Sequence, residues 1–106
     1  MNINYPNAAD NWGEDLPLVK RASDQLEQVL GSNADKISAE WKRVNYAGST
    51  RYEVRLSDWS GDARVALSHE DLSSPHTLSF HLEMLWGRVL QNRSHIQLKN
   101  LQGMGA

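Results

Sequence analysis

The residues best suited to acid–base or metal chemistry meet in the tripeptide His69-Glu70-Asp71. An imidazole beside two carboxylates combines a borderline metal ligand with two hard ones and could also move a proton. The tripeptide lies at the end of a predicted strand, however. In an extended chain neighbouring side chains point to opposite sides, and acidic residues at such a junction commonly begin a helix. We therefore interpret the tripeptide as a helix start and predict no catalytic residue, no metal site and no cofactor.

Other catalytic signatures are missing from the sequence. The chain has no cysteine, which excludes thiolate nucleophiles, disulfides and cysteine-ligated metals. Its Gly-x-Gly, at Gly103 to Gly105, has no helix after it to present amide groups to a phosphate. The nucleophile-elbow and zinc-helix patterns are also absent. The sequence thus predicts a protein that is not an enzyme.

Arginines in the middle of the chain could bind anions. Residues 1–40 hold three basic and seven acidic side chains, whereas residues 41–66 hold five basic and three acidic. Guanidinium groups beside an aromatic ring can hold phosphates, carboxylates or stacked bases. Because the net charge is −2, an ordinary solvated surface is the simpler interpretation and nucleic acid is the less favoured partner. The alternative function is anion or nucleic-acid binding on an outward sheet face that carries Trp41, Arg43, Arg51, Arg55 and Arg64.

The register of the first strand decides whether this arrangement holds. Side chains of a regular strand alternate between its two faces, and one extra residue reverses every position after it. A bulge between Lys42 and Val44 would therefore reverse this arrangement.

Hydrophobic periodicity predicts the elements that hold these residues. Apolar residues recur at helical spacing from Leu16 to Leu30, and again from about Ser74 to Arg93. Between the two helices a period of two predicts three strands, joined by short glycine-containing turns typical of antiparallel hairpins. The predicted strands span residues 40–46, 51–58 and 63–69. A fourth, edge strand is predicted at His95 to Leu101.

These elements predict an α+β fold with a single domain over residues 1–106. The order is α-β-β-β-α(-β), a two-layer sandwich in which an antiparallel sheet of three or four strands carries two helices on one face. Residues 1–13 are expected to form a loose lead-in and residues 102–106 a flexible tail. The sequence shows no signal-peptide pattern and no apolar run near the roughly 18 residues of a spanning helix, so we expect a cytoplasmic protein that does not bind membranes.

The second predicted helix has more apolar residues than one buried face needs. Its core-facing side is predicted to hold Leu78, Leu82, Leu85, Trp86, Val89 and Leu90. Phe80, Met84 and Gly87 fall nearly opposite. A glycine inside a helix costs about 1 kcal/mol relative to alanine, and close approach of another backbone is one reason to keep it.

The leading hypothesis is therefore a small non-catalytic interaction or accessory domain. Its interaction strip is Phe80, Met84 and Gly87, used for a homodimer or another protein partner. Coverage of the strip by another segment of the same chain is the alternative.

Four of the 106 residues are tryptophan. Trp59 lies in a predicted turn and is expected to fold back onto the sheet, because exposing a large ring is costly. Trp86 is expected in the core, and Trp12 is expected to pack against the start of the first helix.

Overall fold

The elements of the fold follow one another as a strand, a helix, three strands and two helices. The computed structural model describes residues 1–5 and 12–104. The elements are strand β1 (Asn2–Asn4), a 3-10 turn (Gly13–Asp15), helix α1 (Leu16–Leu30), a 3-10 turn (Gly31–Lys36), strands β2 (Ser38–Tyr46), β3 (Ser49–Asp58) and β4 (Gly61–Leu67), and helices α2 (His69–Ser73) and α3 (Pro75–Met104). The predicted α+β class is confirmed.

The strands lie side by side in chain order, β1-β2-β3-β4. The pairs β2–β3 and β3–β4 are antiparallel, as predicted. Strand β1 runs parallel to β2, with Asn2 opposite Ser38. A crossover through a helix returns a chain in its original direction, and α1 provides that crossover. Residues 2–4 therefore belong to the sheet rather than to the predicted loose lead-in, of which residues 6–11 lie outside the described residues.

The core lies between one face of the sheet and helices α1 and α3. In β3 the alternating residues Tyr52, Val54 and Leu56 are fully buried, as their period of two predicts. Apolar residues of both helices pack against them.

A buried serine joins α1 to strand β2 and to Tyr5, the residue that follows β1. The Ser23 hydroxyl accepts hydrogen bonds from the Tyr5 hydroxyl at 2.8 Å and from the Trp41 indole N–H at 2.9 Å. It donates to the Val19 carbonyl at 3.1 Å. All three hydrogen-bonding positions of the hydroxyl are thus used, so its burial costs little. The sequence pattern of α1 does not indicate this role.

A short helix, α2, precedes the second predicted helix, which begins at Pro75 as predicted. Ser68 and Asp71 form a capping box that starts α2: the Ser68 hydroxyl accepts from the Asp71 amide at 3.1 Å, and the Asp71 carboxylate accepts from the Ser68 amide at 2.9 Å. Pro75 then begins α3, at a position where its missing N–H is harmless.

Helix α3 continues to Met104, through the segment predicted as an edge strand. The prediction rested on the alternation of Ile96 and Leu98, which instead lie on nearly opposite sides of the helix. Extending an existing helix orders one residue per added hydrogen bond, whereas a new strand must first find a sheet edge. Residues 102–104 of the predicted tail are therefore helical, and residues 105 and 106 lie outside the described residues.

Candidate interaction surface on helix α3

The inner face of α3 is buried against the sheet and α1. Leu78, Leu82, Leu85 and Val89 are all at most 3% exposed. Leu90, predicted on this face, is instead 45% exposed, because it lies at the side of the helix. Trp86 is half-buried at the margin of the core.

The outer face of α3 carries apolar residues that the described chain leaves uncovered. Phe80 is 60% exposed and Met84 is 42% exposed. Leu98, four turns beyond Met84, is 56% exposed on the same side of the helix. We call this surface the outer strip, and it consists of Phe80, Met84, Gly87, Gln91, Ser94 and Leu98. Leu98 was missed in the sequence because its segment was predicted as a strand; its spacing from Phe80 and Met84 is the signal that could have found it.

Gly87 lies in the middle of the outer strip, and nothing in the described structure requires a glycine there. A Cβ atom built on Gly87 has no neighbour within 4 Å among the described residues. Alanine at this position would therefore fit the monomer and would favour the helix by about 1 kcal/mol. A packing reason for the glycine must therefore come from something outside the described residues that approaches the strip.

Polar contacts fix the orientation of α3 on the sheet. The Arg88 guanidinium donates to the Arg64 carbonyl at 2.8 Å, and the Asn92 amide donates to the Asp62 carbonyl at 3.0 Å. Both contacts satisfy carbonyl groups of β4, which is an edge strand. Because these contacts hold one side of α3 against β4, the outer strip keeps pointing away from the sheet.

A buried ion pair ties the β3–β4 turn to the same helix. Arg93 Nε lies 2.9 Å from Asp58 Oδ2, and the Asp58 side chain is only 1% exposed. Burial would raise the pKa of Asp58, but hydrogen bonds from the Ser60 hydroxyl and amide and from Arg93 outweigh it, so the pKa lies below its ordinary value. The Arg93 guanidinium also stacks on Trp86, 5.1 Å from the ring centroid. The β3–β4 turn is therefore attached to α3 through Asp58 and not through Trp59, the next residue.

Trp59 does not fold back onto the sheet as predicted. Its side chain is 61% exposed at the tip of the turn. Asp58 occupies the inward position of the turn, where its carboxylate also accepts from the Ser60 amide at 2.8 Å. This Asx-type turn directs the next side chain outward.

The predicted anion site is split between the two faces of the sheet. Strand β2 has no bulge, since Ser38 to Tyr46 pair one to one with β3. Trp41 therefore lies opposite Val54 on the helix-covered face, where it is fully buried. Arg43 lies opposite Tyr52, at the end of that same face. The prediction that these two residues share the outward face is wrong.

The other three arginines do lie on the open face of the sheet, among carboxylates. Arg55 lies 3.5 Å from Glu40 and 4.0 Å from Asp62. Arg64 lies 3.7 Å from Glu53 and from Asp62. Such exposed pairs contribute little to stability, yet they neutralise part of the positive charge. Arg51 is the third arginine and lies opposite Val44.

The tripeptide His69-Glu70-Asp71 does not form a shared site. Asp71 serves the capping box and lies 3.8 Å from His81 Nε2. His69 Nδ1 lies instead 3.1 Å from Asp15 Oδ1. Glu70 is exposed in the first turn of α2. Among residues 1–5 and 12–104, no three histidine or acidic side chains are grouped closely enough to hold a metal ion.

Asp15 instead joins α2 to the sheet. Its second carboxylate oxygen accepts a hydrogen bond from the Tyr52 hydroxyl. Burial, this hydrogen bond and the carboxylate charge raise the pKa of Tyr52 to about 12, while the Arg43 guanidinium acts in the opposite direction. The Tyr52 phenol is therefore a neutral donor at physiological pH, and the contact holds the start of α1 against β3.

In the part of the chain that the structure describes, no helix has both the length and the apolar character needed to cross a membrane. No protein-family model, curated protein or solved structure matches the chain. The surfaces of the described structure are therefore the basis for proposing a function.

Proposed function

We propose that the protein is a small cytoplasmic interaction or accessory domain that acts without catalysis and self-associates through the outer strip of α3. The observation that carries the proposal is Gly87, a costly helix residue that follows exposed Phe80 and Met84 on the outer strip, for which the described monomer has no packing requirement.

The chemistry of the outer strip suits a protein surface as its partner. Phe80 and Met84 are of the types enriched in interfaces, where aromatic rings and flexible thioethers fill gaps. Gly87, which follows them on the strip, allows a second helix backbone to come close. A second copy of the chain presents the same strip, and isologous pairing is the commonest form of protein self-association.

Sedimentation equilibrium of the wild-type protein and of Met84→Arg tests this proposal. We expect a concentration-dependent dimer whose dissociation constant rises at least tenfold in the variant, because a charge would be buried in the interface. Asn100→Arg is the matched control: it adds the same charge to an exposed position on the same helix, away from the strip. Circular dichroism confirms that both variants are folded.

Two results would overturn the proposal. One is a wild-type protein that stays monomeric at millimolar concentration. The other is a dimer whose dissociation constant is the same in wild type and Met84→Arg.

Anion binding on the open sheet face is the second candidate function. The observation in its favour is that Arg51, Arg55 and Arg64 share this face, although carboxylates accompany them. Counterion release predicts that binding to heparin or oligonucleotides would weaken steeply with salt and would be lost on replacing the three arginines by glutamine. If neither heparin nor oligonucleotides bind at about 50 mM salt, close to the lowest practical ionic strength, anion binding is not the function of this face.

A further inference from the structure

The residues of the outer strip recur at a regular spacing along α3. Its positions, from residue 80 to residue 98, are separated by four, three, four, three and four residues. This is the spacing of the two core positions of a two-stranded coiled coil, in which apolar residues recur every 3.5 residues. Phe80 and Leu98 are the two ends of the strip, and Gln91 and Ser94 are polar residues at core positions. Polar residues at core positions lower the stability of a coiled coil but can specify its register.

The two flanks of the outer strip differ in charge. Glu83 is exposed on the flank that faces α1, where it lines a shallow groove together with Asp24 and Arg21. The opposite flank carries Arg88, which is also exposed; one of its guanidinium nitrogens donates to the Arg64 carbonyl of the same chain, and the group has further N–H donors for a second contact. His81 and His95 lie on the same flank as Arg88, one heptad to either side of it.

Direction of pairing determines which flanks meet. In a parallel pair, one flank of each helix faces the opposite flank of the other, and a residue lies near the one five positions later in its partner. Glu83 and Arg88 are five positions apart, so unlike charges would meet twice across the two-fold axis. In an antiparallel pair centred near Val89 each flank faces its own kind, which would place Arg88 opposite Arg88 of the other copy and Glu83 opposite the uncharged Gln97.

We propose that two copies of the chain pair their α3 helices in parallel and in register, with Glu83 of each copy facing Arg88 of the other. This inference rests on the proposed self-association and adds its geometry. Gly87 then meets Gly87, which lets the backbones approach, and the helix beyond Arg93 extends the pair.

Single cysteines test the direction directly, because the natural chain has none. Parallel pairing brings residue 94 of one copy close to residue 94 of the other, within the Cα separation that a disulfide spans. We therefore expect Ser94→Cys to form a disulfide-linked dimer in mild oxidant. Ser49→Cys, at an exposed serine outside α3, is the matched control and should stay monomeric on a non-reducing gel.

A mixture of Met84→Cys and Ser94→Cys tests the opposite arrangement. An antiparallel pair centred near Val89 would link these two variants to each other faster than either links to itself. If wild type is a dimer in sedimentation but Ser94→Cys does not link to itself, or if the mixed product dominates, parallel pairing is wrong and self-association stands. If wild type is monomeric at every concentration, both are wrong.

Charge reversal provides an independent test of the flanking contacts. Glu83→Lys and Arg88→Glu should each raise the dissociation constant roughly three- to tenfold at low salt, and the double variant should restore it. Equal dissociation constants in all four proteins would exclude a Glu83–Arg88 contact between copies.

Discussion

The inner and outer faces of α3 differ in what lies opposite them rather than in how apolar they are. Leu82 and Phe80 are two residues apart on the same helix, yet the first is fully buried and the second is 60% exposed. Both faces share one backbone and one helix propensity. Differences between matched substitutions on the two faces therefore measure contact with the rest of the molecule, which separates residues that hold the fold from residues available to a partner.

The largest expected difference is between Leu82→Ala and Phe80→Ala. Loss of a fully buried leucine leaves a cavity and should lower the free energy of unfolding by about 2–5 kcal/mol. Loss of the exposed phenylalanine should change it by less than about 0.5 kcal/mol. Urea unfolding measures both changes in the free energy of unfolding, at protein concentrations too low for the dimer to form. Equal effects would mean that Phe80 is covered within the monomer, contrary to an available outer strip.

The ion pair that holds the β3–β4 turn to α3 should give the next largest effect. Asp58→Asn leaves Arg93 mostly buried without its countercharge, and we expect a loss of about 2–3 kcal/mol. The matched control is Glu40→Gln, which breaks the exposed pair with Arg55 and should cost less than about 0.5 kcal/mol.

The same ion pair should respond to acid. The pKa of Asp58 is lower in the folded state than in the unfolded state, so its contribution is present above the ordinary carboxyl pKa near 4 and is lost as the pH falls through the folded value. Stability curves of wild type and Asp58→Asn should therefore converge as the pH is lowered. Parallel curves would show that Asp58 does not contribute through its charge.

Tyr52 should make the inner side of the sheet sensitive to alkali. Its folded pKa of about 12 lies above the ordinary value of 10, so the folded state favours the neutral phenol. This contribution is fully present below pH 10 and should be lost between pH 10 and 12, on the order of 1–2 kcal/mol. Tyr52→Phe removes the titrating group and should flatten the profile in that range. An unchanged profile would assign the alkaline loss to other groups.

The parts of the fold that follow from local pattern could be predicted from the sequence. Alternation in β3 placed Tyr52, Val54 and Leu56 on the buried face, and the helical period of Leu16 to Leu30 defined α1. Strand β1 could not be predicted in this way, because three residues have no usable period and their place depends on pairing with β2.

The errors at the candidate sites have a similar cause. Trp41 and Arg43 share one face of β2, but Trp41 is covered by α1 whereas Arg43 lies near the edge and is exposed. The residue types suggested that Trp41 and Arg43 both point outward, but the position of each residue along the strand decides whether it is buried. The exposure of Trp59 depends on Asp58 accepting contacts from Ser60 and Arg93. Arg93 lies 35 residues away in the chain, which no local pattern reveals.

The smallest expected effect, at Gly87, separates folding from association most directly. Gly87→Ala should raise the free energy of unfolding of the monomer by about 0.5–1 kcal/mol, because alanine favours the helix and its Cβ meets open space. The same methyl group would stand between two closely packed helices and should weaken the dimer. Asn100→Ala, which also improves helix propensity but lies away from the strip, should stabilise the monomer without weakening the dimer. If Gly87→Ala stabilises the monomer but weakens the dimer, and Asn100→Ala leaves the dimer unchanged, the glycine belongs to the contact between copies. A dimer strengthened by Gly87→Ala would show that the helices do not approach there.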